Sequence, residues 1–327
     1  MKTAKIIGTG SYLPERIMTN ADWAELVDTS DEWIVTRTGI KQRHIAADNQ
    51  ATSDLIVEAA KRAIEDANID KNDLDLIIVG TITPDNAYPS TANWVQKKLG
   101  IDPIPSFDIS AACSGFLYGL NVANSMIKAG TANTILVVGA ETMTKALNWR
   151  DRNTCVLFGD GAGAAVLRAT DDKSLGIQST CWGADGNLGE LLIQPAGGSA
   201  MPASEETVEK NLHTVHMAGN EVFKHAVLRM QEAALKALDL AGWNGEDVDM
   251  FIPHQANLRI INATINRAKI PLEKTFINIE KTANISAGTI PIAMDQARKQ
   301  GKIKAGDKVL LAAFGAGFTW GGITIQF

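Results

Sequence analysis

A chain of 327 residues, 45% of them hydrophobic and 21% charged, has the make-up of a globular protein able to bury one large core or two medium ones. Its net charge of -6 speaks against general nucleic-acid binding, and Cys113, Cys155 and Cys181 form neither a disulfide framework nor a metal-ligand spacing. No apolar run approaches the ~18 residues of a membrane helix, and Met1-Lys2-Thr3 leads into a strand pattern rather than a signal peptide, so a cytoplasmic protein is expected.

Residues 4 to 9 read as a first strand, with Gly8-Thr9-Gly10 as its loop. Pro14 and the lack of a following apolar helix argue against a nucleotide-binding glycine loop. A short helix follows from Asn20 to Val27, with Asn20 as its cap, and then comes Ser30 to Val35. Apolar positions at Leu55, Ile56, Ala59, Ala60, Ala63 and Ile64 predict an amphipathic helix over 52–66, and Leu74 to Gly80 a buried strand. A third strand at 105–109 leads to Ser110-Ala111-Ala112-Cys113-Ser114-Gly115, after which an apolar run continues to Ile127 with helical spacing. Cys113 thus falls at a strand-to-helix junction, where free N–H groups and the helix dipole favour thiolate over thiol.

The chain resembles itself. Ala63 to Ile78 aligns without a gap on Ala237 to Ile252, and Ile135 to Val138 aligns on Val309 to Ala312, both at a separation of 174 residues. Placing Cys113 opposite Asn284 requires a three-residue deletion between those segments. The reading is of two similar α/β halves, 1–172 and 173–327, which meet near the polar break Asp171-Asp172-Lys173-Ser174. Alternating helix and strand patterns predict mainly parallel sheets, with ligands beyond the C-terminal strand ends. Cys113, His254 and Asn284 all follow strand-like segments, so one cleft can hold all three. Taken singly, each has a plainer reading: a buried structural cysteine, a filler histidine and a helix-capping asparagine.

Five segments together change that balance: Asp31-Glu32-Trp33-Ile34-Val35-Thr36-Arg37-Thr38-Gly39-Ile40, Ala111-Ala112-Cys113-Ser114-Gly115-Phe116, Phe158-Gly159-Asp160-Gly161-Ala162-Gly163, Pro253-His254-Gln255-Ala256-Asn257 and Ala313-Phe314-Gly315-Ala316-Gly317-Phe318-Thr319-Trp320-Gly321. In combination they resemble β-ketoacyl-acyl-carrier-protein synthase III over essentially the whole chain. The resemblance implies a thiolase-like fold of two similar α/β halves in a layered αβαβα structure. It also implies a decarboxylating Claisen condensation of a short acyl-CoA, acetyl-CoA in the commonest case, with malonyl-acyl-carrier-protein. Cys113 would carry the acyl group, while His254 and Asn284 would hold the enolate oxygen. The N–H groups of Cys113 and Ala316 would serve the tetrahedral intermediate.

By the same transfer, Thr29, Trp33, Arg37, Arg152, Phe223, Ala256 and Asn257 are expected to bind coenzyme A. Tyr88, Phe158, Leu192 and Phe314 are expected around the acyl group, with Tyr88 reaching across a homodimer. Lys224, Arg259 and Arg267 are expected to meet the acidic carrier protein. No resident cofactor or metal, nucleic acid or membrane is implied. The chain departs from the family pattern at Ala316 and Ala283, where glycine is usual. The alternatives are another thiolase-fold condensing enzyme of secondary metabolism or of the hydroxymethylglutaryl-CoA synthase kind, a cysteine hydrolase, or a non-catalytic carrier-binding module. Degradative thiolases place a second cysteine near the C-terminal glycine loop, and Ala312 to Trp320 has none.

Overall fold

The structure, a computed structural model, describes residues 2–327. The first half comprises β1 (Thr3–Tyr12), β2 (Arg16–Thr19), α1 (Asn20–Ala24), α2 (Asp31–Thr38), β3 (Gln42–Ile45), α3 (Thr52–Asp66), β4 (Leu76–Gly80), α4 (Thr91–Leu99), β5 (Ser106–Ile109), α5 (Gly115–Ala129), β6 (Thr134–Thr142) and β7 (Asp160–Thr170). The second comprises β8 (Gly176–Ala184), β9 (Leu192–Ile193), α6 (Glu205–Glu209), β10 (His216–Met217), α7 (Gly219–Ala241), β11 (Met250–Pro253), α8 (Leu258–Ala268), α9 (Ile279–Thr282), α10 (Thr289–Lys299), β12 (Lys308–Gly315) and β13 (Thr319–Gln326). Among the described residues no helix is long and apolar enough to cross a membrane.

Two sheets dominate, ordered β1-β7-β6-β4-β5 and β8-β13-β12-β11, and they have the same plan. In the first, β5, β4 and β6 are mutually parallel while β7 and β1 run antiparallel. In the second, β11 and β12 are parallel while β13 and β8 are antiparallel. The expectation of mainly parallel sheets is therefore corrected to mixed ones. β12 turns directly into β13, and β6 reaches β7 without a covering helix, and neighbours joined in that way pair antiparallel. Gly8 and Gly10 are likewise inside β1 rather than in a loop, because a side chain there would strike the α3 backbone at Ala63 and Ala59. Thr19, not Asn20, caps α1; the buried Asn20 amide instead donates to Asp31 and to the Ile40 carbonyl.

The buried pair α5 and α10 fills the space between the sheets, with Phe116, Leu120 and Ile127 of one helix and Ile290, Ala293 and Met294 of the other in a single apolar core. α3 and α4 cover the outer face of the first sheet, and α7 and α8 that of the second. Close backbone approach sets the inner layer. A Cβ on Gly80 would stand 2.6 Å from the carbonyl carbon of Gly115, and one on Gly139 would collide with the Ala287 carbonyl.

The internal likeness holds without a gap through this layer. Leu76, Ala112, Gly115 and Thr134 open elements whose counterparts open at Met250, Ser286, Thr289 and Lys308, again 174 residues apart. The expected three-residue deletion is absent, so the counterpart of Cys113 is Ala287, and Asn284 lies three residues before it. Both turns place their first residue in the left-handed region, Ala112 at φ 45° and Ser286 at φ 46°.

Because the Gly139 contact is backbone against backbone, Gly139→Ala is expected to lower the unfolding free energy by about 2–3 kcal/mol in urea titrations. Gly186→Ala, at a position with nothing within 4 Å, is the control and should leave it unchanged.

Candidate active site

Cys113 sits in the single turn Ala112–Ser114, between β5 and the start of α5. His254 follows β11, and Asn284 lies between α9 and the turn that opens α10. The three converge on a cavity of about 120 Å³ that is also lined by Phe223, Ala256 and Asn257. A second cavity, of about 400 Å³, opens on the other side of Cys113 among Ile82, Met143, Ser286 and Ala316. Cys113, Phe158 and Leu192 border both. Cys155 and Cys181 border neither, so Cys113 is the only thiol at the site.

Ser286 arranges the neighbours. Its N–H donates to Asn284 Oδ1 at 2.8 Å, which turns the amide nitrogen of Asn284 the other way. Its carbonyl accepts the Thr289 hydroxyl at 3.1 Å, and Thr289 Oγ1 is 2.6 Å from His254 Nδ1. His254 Nε2 is buried without a hydrogen-bond partner. A bridge between Phe158 and Asn284, with the Asn284 N–H on the Leu157 carbonyl at 3.0 Å, fixes this segment to the first half.

Protonation follows burial. Desolvation pushes the Cys113 thiol up to about 12, against the opposing pull of the Ser286 hydroxyl. The side chain is partly exposed, toward the cavities that it borders. Cys113 therefore rests as a thiol, which corrects the expectation that the helix start would favour the thiolate. Desolvation also pulls His254 down to about 3, so its imidazole is neutral through the physiological range.

The two departures from the family pattern differ in consequence. Ala316 is not in the left-handed region; Gly317, at φ 114°, takes that conformation, so the alanine is accommodated without strain. Thr319 fastens this loop to the Cys113 turn by donating to the Ala111 carbonyl at 2.8 Å. Gly315 permits the approach, since a Cβ there would lie 2.6 Å from the Cys113 nitrogen. Ala283, by contrast, has φ 56° and ψ -164°, a region suited to glycine, which carries a strain of about 1–3 kcal/mol.

Other expected residues fall into groups. The guanidiniums of Arg37 and Arg152 lie 4.5 and 5.3 Å from the Trp33 ring centre. Asn257 Nδ2 donates to the Arg37 carbonyl at 2.9 Å, so this surface cluster is continuous with the narrow cavity. Thr29 contributes a buried hydroxyl without a partner near that cluster's end. Arg259 stacks on Phe223 at 5.0 Å at the same mouth, Lys224 is paired with Glu221, and Arg267 lies in the last turn of α8. Phe314 borders the His254 cavity, not the larger one, and packs edge-on against Phe318. Tyr88 is 87% exposed and borders neither cavity in the single chain. The residues missed from sequence are Ser286, Thr289 and Glu141. The last was visible as the lone charge closing the apolar run Thr134–Thr142.

Five alternating layers, with a nucleophilic turn opening a buried helix, place the protein among the thiolase-fold acyltransferases. Residues 107–186 match the family 3-oxoacyl-[acyl-carrier-protein] synthase III, and 238–327 match its C-terminal portion. The β-ketoacyl-[acyl-carrier-protein] synthase III of Caldanaerobacter subterraneus is 56% identical over 99% of this chain and 98% of its own. That of Clostridioides difficile is 51% identical over the same shares. The crystal structure of 3-oxoacyl-[acyl-carrier-protein] synthase III from Aquifex aeolicus superposes with a TM-score of 0.91 at 48% identity, covering 99% of this chain and 100% of that one. The chain belongs to the β-ketoacyl-[acyl-carrier-protein] synthase III family, condensing enzymes of fatty acid synthesis.

The neutral state of His254 has a measurable consequence. Between pH 6.5 and about 3 the unfolded chain takes up a proton that the folded chain refuses, so folding stability falls as the pH falls through that window. His254→Asn is expected to flatten this part of the urea midpoint against pH.

Proposed function

We propose that the protein catalyses the initiating condensation of fatty acid synthesis, joining a short acyl-CoA to malonyl-acyl-carrier-protein to give 3-ketoacyl-acyl-carrier-protein, coenzyme A and carbon dioxide. The observation that carries this reading is the position of Cys113 between two cavities, with His254 and Asn284 on the narrower one.

In the first half-reaction Cys113 Sγ bonds to the acyl carbonyl carbon, and the carbon–sulfur bond to coenzyme A breaks. The Cys113 proton leaves, and the coenzyme A thiolate gains one. The N–H groups of Cys113 and Ala316 are suited to the developing oxyanion, since the Thr319 anchor and the bare Gly315 bring their backbones together. Coenzyme A would lie with its adenine on Trp33 between Arg37 and Arg152, near Thr29, and with its pantetheine along Phe223, Ala256 and Asn257.

In the second half-reaction malonyl-acyl-carrier-protein loses carbon dioxide. The resulting enolate oxygen would be held by Asn284 Nδ2 and His254 Nε2. The Asn284 donor faces the cavity because Ser286 occupies its oxygen. The His254 donor requires the Thr289 hydroxyl proton to turn from the Ser286 carbonyl, which it meets at 3.1 Å, to Nδ1 at 2.6 Å, leaving the ring proton on Nε2. Carbon attack on the acyl-Cys113 thioester then expels the cysteine thiolate.

Phe158 and Leu192, with Tyr88 of a second subunit in a homodimer, would bound the acyl chain. Arg259, Lys224 and Arg267 would receive the acidic carrier protein in the cytoplasm. We assign 1–172 to a nucleophile-bearing half and 173–327 to the half that supplies His254 and Asn284. The enzyme needs no cofactor in this scheme, coenzyme A thioester being a substrate.

Radiolabelled acetyl-CoA is expected to label Cys113, and Cys113→Ser to lose both label and condensation. His254→Ala and Asn284→Ala should keep acylation while losing malonyl decarboxylation by about 100-fold or more; equal loss of both half-reactions would overturn the division of roles. Trp33→Ala should raise the KM for acetyl-CoA about tenfold with kcat little changed.

A further inference from the structure

Glu141 is the penultimate residue of β6, every residue of which is buried, and is itself 0% exposed. Among the described residues no cation is paired with it. Its Oε2 accepts four hydrogen bonds, from Thr81 Oγ1 at 3.0 Å, Ile82 N at 3.1 Å, Thr83 N at 3.0 Å and Thr83 Oγ1 at 2.6 Å. Oε1 is less committed, accepting Ile82 N at 3.2 Å and the Ser286 hydroxyl at 3.1 Å. With its proton on Oε1, Ser286 Oγ keeps lone pairs free on the wall of the larger cavity, which it shares with Cys113. The same hydroxyl is the one side-chain group that favours ionisation of the Cys113 thiol.

We propose that Glu141 is a positioning residue that holds the Cys113 proton by way of Ser286 between the two half-reactions. The proposal rests on the reading of Cys113 as the acylated nucleophile. As Sγ attacks the thioester, its proton passes to Ser286 Oγ while the Ser286 proton passes to Glu141 Oε1. The departing coenzyme A thiolate takes a proton from solvent. When the enolate carbon displaces Cys113, the carboxyl returns its proton to Ser286 and Ser286 returns one to the sulfur. One proton is consumed per turnover, as the overall decarboxylating condensation demands, and no oxidant or reductant enters.

Burial suits the carboxyl to this task. Desolvation, opposed by the hydroxyl and amide donors, raises Glu141 to about 7, so both of its states are accessible near neutrality. The groups facing it are few. From the β4 side they are the hydroxyls and amides of Thr81 to Thr83, and from the Cys113 turn the thiol itself. From the α10 side they are Ser286 and, beyond Thr289, the imidazole of His254. Asp85 and Lys145 lie further out, on a surface hollow shared with Thr83.

The test follows alkylation of Cys113 by iodoacetamide from about pH 5 to 9, together with single-turnover acylation by acetyl-CoA, in the full chain and in Glu141→Gln, Glu141→Asp and Ser286→Ala. The unaltered protein should show an alkylation rate that rises through about pH 7 and then levels, because ionised Glu141 accepts the proton. Glu141→Gln and Ser286→Ala should lose that inflection and acylate about 100-fold more slowly, and Glu141→Asp should recover part of both. An inflection that persists in Ser286→Ala, or variants that lose both half-reactions and thermal stability together with an unchanged pH profile, would overturn the proposal. Ser286→Ala decides the matter where Glu141→Gln does not fold, since it leaves five of the six carboxylate contacts in place. Alkylation needs no acyl substrate, so failure of the relay is distinguishable from failure of the condensation reading, which would appear as unaltered protein that takes no label.

Discussion

One residue ties the site together, and it forms no covalent bond to substrate. Ser286 is fully buried at φ 46°, and its N–H orients Asn284 while its carbonyl orients Thr289 and through it His254. Its hydroxyl joins Glu141. A side chain at left-handed φ is costly, about 1–3 kcal/mol, and survives where the surroundings over-determine it. Here three directed hydrogen bonds and a packed helix start do so. The carboxamide and imidazole are therefore aimed before any substrate arrives, and aiming of that kind is the larger part of electrostatic catalysis.

The packing of the inner layer keeps that arrangement rigid. α5 and α10 press against the sheets at glycines, Gly80 and Gly139, so the two turns that open these helices are registered on backbone rather than on adjustable side chains. The Phe158–Asn284 bridge and the Thr319–Ala111 hydrogen bond then stitch each half to the loop of the other. A site built from both halves holds its geometry because neither half can slide without breaking main-chain contacts.

Much of this was legible in the sequence. The repeat at 174 residues announced two similar halves, and five segments, those around Cys113 and His254 among them, announced the family. The errors have physical causes. The true counterpart of Cys113 was concealed because small residues abound in both turns and align at several registers. The antiparallel pairs were missed because a strand pattern records burial, not the direction of its neighbour. The resting thiol was misjudged because the dipole is visible in the order of elements, whereas the depth of burial that outweighs it is created only when the halves close. Glu141 and Ser286 carry no motif of their own; their meaning arises from 145 residues of separation being folded to one hydrogen bond.

The two chambers that meet at Cys113 share only Phe158 and Leu192 besides the sulfur itself. In the proposed scheme a carrier arm entering along Phe223 and Asn257 would be gauged by one set of walls, and an acyl group on the sulfur by another, among Ile82, Met143 and Val215. Selectivity for the delivery vehicle and selectivity for the cargo would then be coupled only through Phe158 and Leu192. Reshaping the larger chamber to admit a bulkier starter leaves the entrance lane, and the donors that line it, as they were.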